Sequence, residues 1–283
     1  MSKEKKSDGR LSLNTMQMIA LGFLGVILLG GVLLWLPFSN QEPIAFADAL
    51  FTSVSAVCVT GLLTIVPATQ FTVAGKVILL LLIQIGGLGL VTLTSFFALA
   101  MRRRMGFRGL RLLGESVSAD SFSQATQVLK VVVGLAIGFE SLGAVLLMFA
   151  FVPQFGLEGI WISIFTSISA FCNAGFDLFG RFGEYASLTP YVNNFYVQAV
   201  VIFMIAAGGL GFMVWVELGE YRKKRRLSLH AKVVLLFSVL LWLGGAAAIV
   251  LMEWSNPATL GPLSVPGKLM ACLLYTSDAA DEL

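Results

Sequence analysis

Residues 51–62 read FTSVSAVCVTGL, and residues 165–176 read FTSISAFCNAGF. The second stretch repeats the first 114 positions later, with seven of its twelve residues identical. Each copy lies between two long apolar runs. The unit that recurs is therefore a membrane span, a short segment that enters and leaves the membrane on one side, and a second span. This order of elements is typical of a membrane pore.

The composition indicates a membrane protein. Hydrophobic residues make up 57% of the chain and charged residues 12%, with a mean hydropathy of +0.88, whereas soluble domains are roughly 25% charged. A bilayer span needs about 20 apolar residues, and several runs reach that length. They cover approximately residues 16–36, 71–100, 127–152, 191–217 and 231–252. The predicted fold class is an all-α integral membrane protein.

Basic residues are concentrated in segments beside the spans. Lys and Arg near span ends are retained on the cytoplasmic side, so the sequence predicts a cytoplasmic N-terminus and a multi-pass chain in the cell membrane. Both copies of the repeated stretch then enter from outside. We interpret the basic clusters as topology signals and contacts for anionic lipids, not as a nucleic-acid surface. They are residues 1–15, residues 102–111 and residues 222–226.

The sequence offers little for catalytic, metal or disulfide chemistry. The chain has one histidine, His230, and three cysteines, which provide neither a metal-ligand cluster nor a disulfide framework. A membrane enzyme would need His, Cys, Asp or Glu gathered at membrane depth, and the acids here are scattered. We expect no enzyme activity and no cofactor bound by this chain.

The two short apolar segments, residues 46–58 and 160–172, cannot cross a membrane. As helices of about thirteen residues they would be roughly 20 Å long, against a hydrocarbon core of about 30 Å. Each must enter and return, and non-helical backbone at that depth is tolerated where protein buries it or it lines a water-filled cavity. A cation there exchanges hydration oxygens for carbonyl oxygens, and a helix C-terminus adds negative partial charge.

The residues that follow each short helix form the predicted ion-binding site, and we call residues 59–61 and 173–175 the filter segments. Glycine permits positive φ and close backbone packing, so Gly61 and Gly175 are the first candidates. The alternative is that duplication left two similar helices with a packing role. It does not explain why both end in x-x-Gly before matching spans. The remaining candidates are the carbonyl groups of Val59, Thr60, Asn173 and Ala174, with the Thr60 hydroxyl as a further ligand.

A second pair of matching motifs lies in the spans behind the filter segments. Gly-Gly-Leu-Gly occurs at residues 86–89 and again at residues 208–211. Glycine clusters in membrane helices allow close helix packing. Each glycine also weakens a helix by about 1 kcal/mol, which favours a hinge lining the inner pore. Both interpretations stay open for Gly86, Gly87, Gly89, Gly208, Gly209 and Gly211.

Acidic residues in or beside the spans are the remaining candidates. Glu140 falls inside the third span, where a carboxylate costs about 2.5 to 3.5 kcal/mol. We expect it to contact a partner or form an interhelical hydrogen bond and not to coordinate the ion. Asp177 either concentrates cations at the outer mouth or is a solvated turn residue. Glu217 lies where the fourth span reaches the cytoplasm, and surface exposure accounts for it.

The chain resembles the Trk/Ktr/HKT family of potassium transporters from about residue 11 to residue 270, and most resembles the membrane subunit of bacterial Ktr systems. The resemblance is carried by Thr-Gly-Leu and Asn-Ala-Gly-Phe-Asp at the ends of the short segments, and by the Gly-Gly-Leu-Gly motifs. It implies four repeats of outer helix, pore helix and inner helix (M1-P-M2) around one pore, a homodimer, and a cytosolic nucleotide-binding ring as regulatory subunit. It also maps the filter glycines to Gly61 and Gly175.

The resemblance implies uptake of potassium down its electrochemical gradient. A potential of about 100 mV contributes about 2.3 kcal/mol per charge, so uptake needs no ATP hydrolysis by this chain. Each filter segment keeps one glycine, unlike the Thr-Val-Gly-Tyr-Gly of strict potassium channels. The choice between potassium and sodium therefore stays open.

The predicted divisions are a cytoplasmic tail, two complete repeats, the start of a third repeat and a non-native tail. Residues 274–277 briefly echo the repeated stretch, but the chain then ends in Asp-Ala-Ala-Asp-Glu-Leu, with three acids and no glycine. This ending looks like translated sequencing-adapter read-through. We expect native sequence to stop near Cys272 and the fragment alone not to conduct. The boundaries are residues 1–15, 16–104, 105–226, 227–272 and 273–283.

The main alternative function is that of a secondary transporter with broken helices at the membrane midplane. Its repeats would have inverted topology or breaks within the spans. Both copies of the repeated stretch are instead predicted to enter from the same side, between intact spans.

Overall fold

The computed structural model describes residues 15–89, 119–183, 186–257 and 259–277. Within these ranges all the regular elements are helical, and the bridge between Asn40 and Phe71 is isolated. The all-α fold class is therefore confirmed. The helices are α1 Thr15–Trp35, α2 Phe46–Cys58, α3 Pro67–Gln70, α4 Val73–Gly87, α5 Ala119–Phe155, α6 Leu157–Phe171, α7 Phe195–Gly209, α8 Phe212–Lys224, α9 Leu229–Glu253 and α10 Val265–Ser277, with single 3-10 turns at Pro37–Ser39, Gly180–Phe182 and Thr189–Tyr191.

The two short segments are helices with nearly the predicted bounds. The first, residues 46–58, is α2, and the second is α6, which begins three residues before the predicted start and ends one residue before the predicted end. The first, third and fifth predicted spans correspond to α1, α5 and α9. The second predicted span begins as α4, and its continuation beyond residue 89 lies outside the described residues.

In the part of the chain that the structure describes, two helices are long and apolar enough to cross a bilayer, namely Lys130–Phe155 within α5 and Leu229–Glu253. Taken together, α7 and α8 are also long and apolar enough to cross a bilayer, but they are bent by 97° at the break between them. The prediction of one intact span over residues 191–217 is therefore wrong.

The break between α7 and α8 has a physical cause in the second glycine motif. Gly211 has a φ of 80°, a conformation that glycine adopts without steric cost and that stops a right-handed helix. The end of α7 leaves carbonyl groups without an intrahelical donor. The indole Nε1 of Trp215 on α8 donates to one of them, the carbonyl oxygen of Ala207, at 2.8 Å. The bend is thus stabilised from both sides.

Side-chain caps fix where three of the helices begin. In each case a side-chain oxygen accepts from the backbone N–H three residues on, which satisfies one of the free donors of the first turn. The capping residues are Thr72 for α4, Asn194 for α7 and Ser228 for α9. Between α5 and α6 the chain reverses at Gly156, whose φ is 61°.

Helices α2 and α6, which contain most of the repeated stretch, each pack between two other helices. Helix α2 packs against α1 and α4, and α6 packs against α5 and α7. Helix α4 also contacts α6, so the two halves share one apolar core. Completely buried side chains from both halves form it, including Leu34, Leu79, Phe165 and Met204.

Corresponding contacts hold the two short helices in place. Ser53 Oγ on α2 donates to the carbonyl oxygen of Ile27 at 2.8 Å, and Ser167 Oγ on α6 donates to the carbonyl oxygen of Glu140 at 2.8 Å. Gly30 and Gly143 face these serines so closely that a Cβ on either would collide with the serine hydroxyl. The repeated stretch therefore meets the preceding long helix in the same way in both halves.

Helix α10 lies against α9 and α7. It runs through Ser277, with Cys272 buried, and so extends into the predicted non-native tail. Whether native sequence stops near residue 272 stays a prediction, and residues 278–283 lie outside the described residues.

Candidate functional site

The backbone takes the same conformation after α2 and after α6. The φ angle is positive at Val59 (56°) and Gly61 (73°), and again at Asn173 (55°) and Gly175 (69°). In each segment, the residue between these two positions does not have a positive φ. Positive φ is uncommon outside glycine and is a genuine outlier for a β-branched residue such as valine. The fold therefore imposes a strained, alternating conformation at both filter segments.

Corresponding hydrogen bonds anchor the filter segments to the short helices. The N–H of Thr60 donates to the carbonyl oxygen of Ser55 at 3.0 Å, and the N–H of Ala174 donates to that of Ser169 at 2.8 Å. Ser55 and Ser169 hold the same place in the repeated stretch. These bonds close the last turn of each helix, so that its C-terminal end, which carries negative partial charge, adjoins the filter segment.

The carbonyl groups of the filter segments are free of protein donors in the part of the chain that the structure describes. None of the carbonyl oxygens of residues 59–61 and 173–175 accepts a hydrogen bond from those residues. A backbone carbonyl that is buried without any donor is costly. The arrangement fits a place where water or a cation supplies the missing partner.

The side chains of the two filter segments differ. Thr60 is exposed, and its Oγ1 donates to Ser55 Oγ at 3.0 Å. Its role as an ion ligand stays a prediction. Ala174 is completely buried. The Asn173 Oδ1 atom is buried and has no hydrogen-bond partner among the described residues.

The first glycine of each Gly-Gly-Leu-Gly motif packs on the end of its own short helix. A Cβ on Gly86 would collide with the carbonyl oxygen of Val57, and a Cβ on Gly208 would collide with that of Phe171. The last glycine of each motif, Gly89 or Gly211, has positive φ (63° and 80°), and no atom of the described residues lies within 4 Å of a Cβ added there. Close packing and bending are therefore both present, at different residues.

The second glycine of the first motif joins the two halves. A Cβ on Gly87 would collide with the side chain of Cys172 at the end of α6. Among the described residues, the atom nearest to a Cβ added at its counterpart Gly209 is Asn173 Nδ2, at 3.8 Å. Cys172 is buried and Cys58, its counterpart in the first copy, is exposed. Helix α4 of the first half thus packs against the end of α6 in the second half.

Glu140 forms the interhelical hydrogen bond that the sequence predicts. Its Oε1 accepts from Gln84 Nε2 on α4 at 2.7 Å, and the residue is 7% exposed. Gln84 was not among the sequence candidates, since its importance depends on contact between the two halves. An amide inside an apolar span is the signal that the sequence gives for it.

Asp177 and Glu217 have defined partners. Asp177 Oδ1 accepts from the N–H of Phe179 at 2.7 Å in the loop after the second filter segment. Burial raises the pKa of this carboxyl, and the hydrogen bond partly opposes the rise. This contact closes a turn, and the role of Asp177 at the outer mouth stays a prediction. Glu217 accepts from the N–H and hydroxyl of Ser228 at 2.9 and 2.7 Å, which links α8 to the start of α9.

Comparison with known proteins identifies relatives over most of the chain. The cation transport protein family TrkH matches residues 3–260. The chain is 40% identical to the potassium/sodium uptake protein NtpJ of Enterococcus hirae over 251 residues, which is 88% of this chain and 54% of that protein.

Two further relatives are Ktr system potassium uptake proteins B. The one from Bacillus subtilis is 36% identical over 256 residues, covering 90% of this chain and 56% of its own length. The one from Vibrio alginolyticus is 35% identical over 266 residues, covering 93% and 57%. The chain thus spans about half the length of the curated relatives that it matches.

The adjacent glycines 208 and 209 provide a matched test of the close packing on α6. We expect Gly208→Ala to destabilise the protein by about 1 to 3 kcal/mol or more, because the new methyl group meets a backbone carbonyl that cannot move aside. Gly209→Ala places its methyl group in ordinary contact and should match the wild type. Thermal unfolding of the purified proteins in detergent compares them, and equal melting temperatures for the two variants would contradict the packing assignment.

Proposed function

Because the chain belongs to the TrkH family of cation transport proteins, we propose that it is the pore-forming part of a potassium uptake system. The family is one of transporters and not of enzymes. In this proposal potassium moves inward between the filter segments, residues 59–61 and 173–175, and their counterparts in the rest of the pore. Sodium is the competing cation, since one relative is named as an uptake protein for both ions.

The observation that carries the proposal is the alternation of φ in both filter segments. In an extended strand successive carbonyl groups point to opposite sides. Alternating positive and negative φ turns successive carbonyl groups towards one side, where they can replace the hydration shell of a cation. The same anchoring hydrogen bonds occur in both segments, and in neither do the carbonyl groups accept from a described residue. A packing role alone requires none of these features.

The electrostatics of the site suit a monovalent cation without a charged ligand. Each short helix directs the negative end of its dipole at its filter segment, which is equivalent to roughly half an elementary charge. The dipoles of the carbonyl groups in the filter segments add to this negative potential. Weak, distributed attraction of this kind admits an ion and also lets it leave. The membrane potential then drives uptake, with no hydrolysis step in this chain.

The topology follows from the charge pattern. The N-terminus and the basic segments lie in the cytoplasm, and both filter segments are reached from outside. The protein acts as a homodimer in a bacterial plasma membrane, and a cytosolic nucleotide-binding ring controls its opening. These assignments rest on the distribution of Lys and Arg and on the family resemblance.

The complete pore contains four M1-P-M2 units, of which this chain supplies two and the start of a third. The contact between Gly87 and Cys172 is the proposed joint between successive units. Cys58 corresponds to Cys172 and is exposed, and Gly209 corresponds to Gly87. In the complete pore these two residues would make the same kind of contact with the neighbouring units. Helix α10 lies beside α7, where the third pore helix would begin.

One observation favours the alternative of a secondary transporter. The 97° bend between α7 and α8 is a break in an apolar helix, which such transporters use at their binding sites. The bend is at the last glycine of the motif, two residues beyond the end of α7, and not at the filter segment. We therefore assign it to the inner mouth of the pore. Flux that needs a second ion gradient, and not only a membrane potential, would support the transporter.

Replacement of the filter glycines tests the proposed pore. In the complete reading frame, expressed in a bacterial strain that lacks potassium uptake, the wild type should restore growth at low potassium. Gly61→Ser and Gly175→Ser should abolish uptake or reduce the preference for potassium over sodium by at least about tenfold, since an L-residue at positive φ costs about 1 to 2 kcal/mol and displaces the carbonyl groups. Uptake of potassium and sodium into the cells is the measurement.

Gly156→Ser is the matched control for backbone strain. Gly156 has nearly the same φ (61°), and no atom of the described residues lies within 4 Å of a Cβ added there, but it lies in the turn between α5 and α6. The Gly156→Ser substitution should leave the cation preference unchanged. Unaltered uptake and preference in both filter variants would overturn the proposed pore, and a change of preference in Gly156→Ser would show that strain alone produces the effect.

Asp177 should make uptake sensitive to external acid. Its carboxyl lies outside the spans with a raised pKa, so on acidification it loses its charge at a higher pH than an ordinary aspartate, whose value is 3.8. Attraction of cations is present above that pH and is lost below it. Apparent KM for potassium, measured from about pH 7 to about pH 4, should rise in the wild type and less in Asp177→Asn. Glu42→Gln, in the exposed loop before α2, serves as control. Identical pH profiles for Asp177→Asn and wild type would remove Asp177 from the mouth.

The genomic DNA tests the proposed number of units. Beyond codon 272 the reading frame should encode two more short apolar segments, each ending in glycine and followed by an apolar span. Sequencing across this junction from the source DNA is the measurement. A stop codon directly after codon 283, with the present tail confirmed, would contradict the four-unit proposal.

A further inference from the structure

Glu140 and Gln84 meet inside the protein where its two halves join. Glu140 lies near the middle of the apolar part of α5, and its Oε1 accepts from Gln84 Nε2 at 2.7 Å. Among the described residues the carboxyl has this amide as its hydrogen-bond partner and no cation beside it. The nearest side chains on α6 include the Cys172 thiol and the Ser167 hydroxyl, which carry no charge.

The amide of Gln84 indicates the protonation state of its partner. Gln84 Oε1 is buried and accepts no hydrogen bond from the described residues. An ionised carboxylate has no hydrogen to donate to it, whereas a carboxylic acid carries one O–H donor and one acceptor oxygen. An acid and an amide side by side can therefore exchange two hydrogen bonds, one in each direction. This arrangement satisfies Gln84 Oε1 and leaves no unpaired charge at membrane depth.

The pair lies directly behind the second filter segment. Gly87, one turn after Gln84 on α4, abuts Cys172, which precedes Asn173. On the other side, the backbone carbonyl of Glu140 accepts from Ser167 on α6. Both partners are thus connected to the end of α6. In the first half the residue that accepts from the corresponding serine is Ile27, so an isoleucine holds the place of the acid there.

We propose that Glu140 is a neutral carboxylic acid that exchanges two hydrogen bonds with Gln84, and that this pair positions the second filter segment. Glu140 and Gln84 are positioning residues, since they act through α4 and α6 and not on the ion. The part of the proposal that concerns cation uptake rests on the proposed function. The pairing itself does not.

An exchange of the two side chains tests the pair. In the complete reading frame, Glu140→Gln keeps a donor and an acceptor, and the double variant Gln84→Glu with Glu140→Gln restores an acid and an amide in swapped places. Both should keep the apparent KM for potassium within about twofold of the wild type. Gln84→Leu and Glu140→Leu should each raise it about fivefold at equal protein in the membrane, the factor that corresponds to about 1 kcal/mol. Val145→Leu, at an exposed position of the same helix, is the control.

Several results would overturn the inference. If Glu140→Gln impairs uptake as much as Glu140→Leu, the residue acts as an ionised carboxylate. If the two leucine substitutions combine as the product of their separate effects, the residues do not act as a pair. A lower amount of protein with unchanged KM and unchanged potassium to sodium ratio would show a structural role only. If the leucine variants fail to reach the membrane, the KM values of Glu140→Gln and of the swapped pair still test whether Glu140 and Gln84 act as a pair.

Failure of the inference and failure of the proposed function can be distinguished. Thermal unfolding of the same purified variants reports the coupling between Gln84 and Glu140 without any transport. A wild type that moves neither potassium nor sodium, together with coupled melting temperatures, would reject the function and keep the pair. Normal uptake with independent melting temperatures and independent KM values would keep the function and reject the pair.

Discussion

The constraint on which the structure depends is that a bilayer offers no partner for a free backbone carbonyl group. Helices meet this constraint internally, and α2 and α6 are each too short to cross. The chain that follows them leaves the carbonyl groups of the filter segments without donors among the described residues. In the proposed pore, water or an ion would supply the missing partner. The strained φ angles at Val59 and Asn173 therefore belong to a site that the surrounding packing maintains.

Packing maintains the site through residues that have no side chain. Gly86 and Gly208 bring the long helices into contact with the carbonyl groups at the ends of α2 and α6, and Gly87 brings α4 against Cys172. Ser53 and Ser167 attach the short helices on their other side. Each filter helix is held by a hydroxyl group on one face and by a glycine on the other.

Much of this could be predicted from the sequence because it depends on local patterns. The bounds of α2 follow from an apolar run that ends before Gly61, and Gly86 and Gly208 are marked by their repeated motif. A hinge at Gly211 is one of two interpretations that the sequence leaves open, since a glycine cluster is compatible with packing and with bending, and the donor that stabilises the bend, Trp215, is contributed by tertiary contact. The partner of Glu140 could not be predicted from local patterns either, because Gln84 lies 56 residues away on another helix.

The two halves share a backbone and differ in side chains, and this difference is informative about how the site works. Val59 and Asn173 have the same φ despite unlike side chains, and Thr60 and Ala174 donate the same hydrogen bond although one is exposed and the other completely buried. A site built from side-chain ligands could not tolerate such replacement. A site built from carbonyl groups can, as long as the φ angles and the anchoring bonds are preserved. The flanking side chains diverge while this backbone pattern is kept, and the Glu140 to Gln84 contact, which has isoleucine in place of the acid in the first half, is the clearest instance of that divergence.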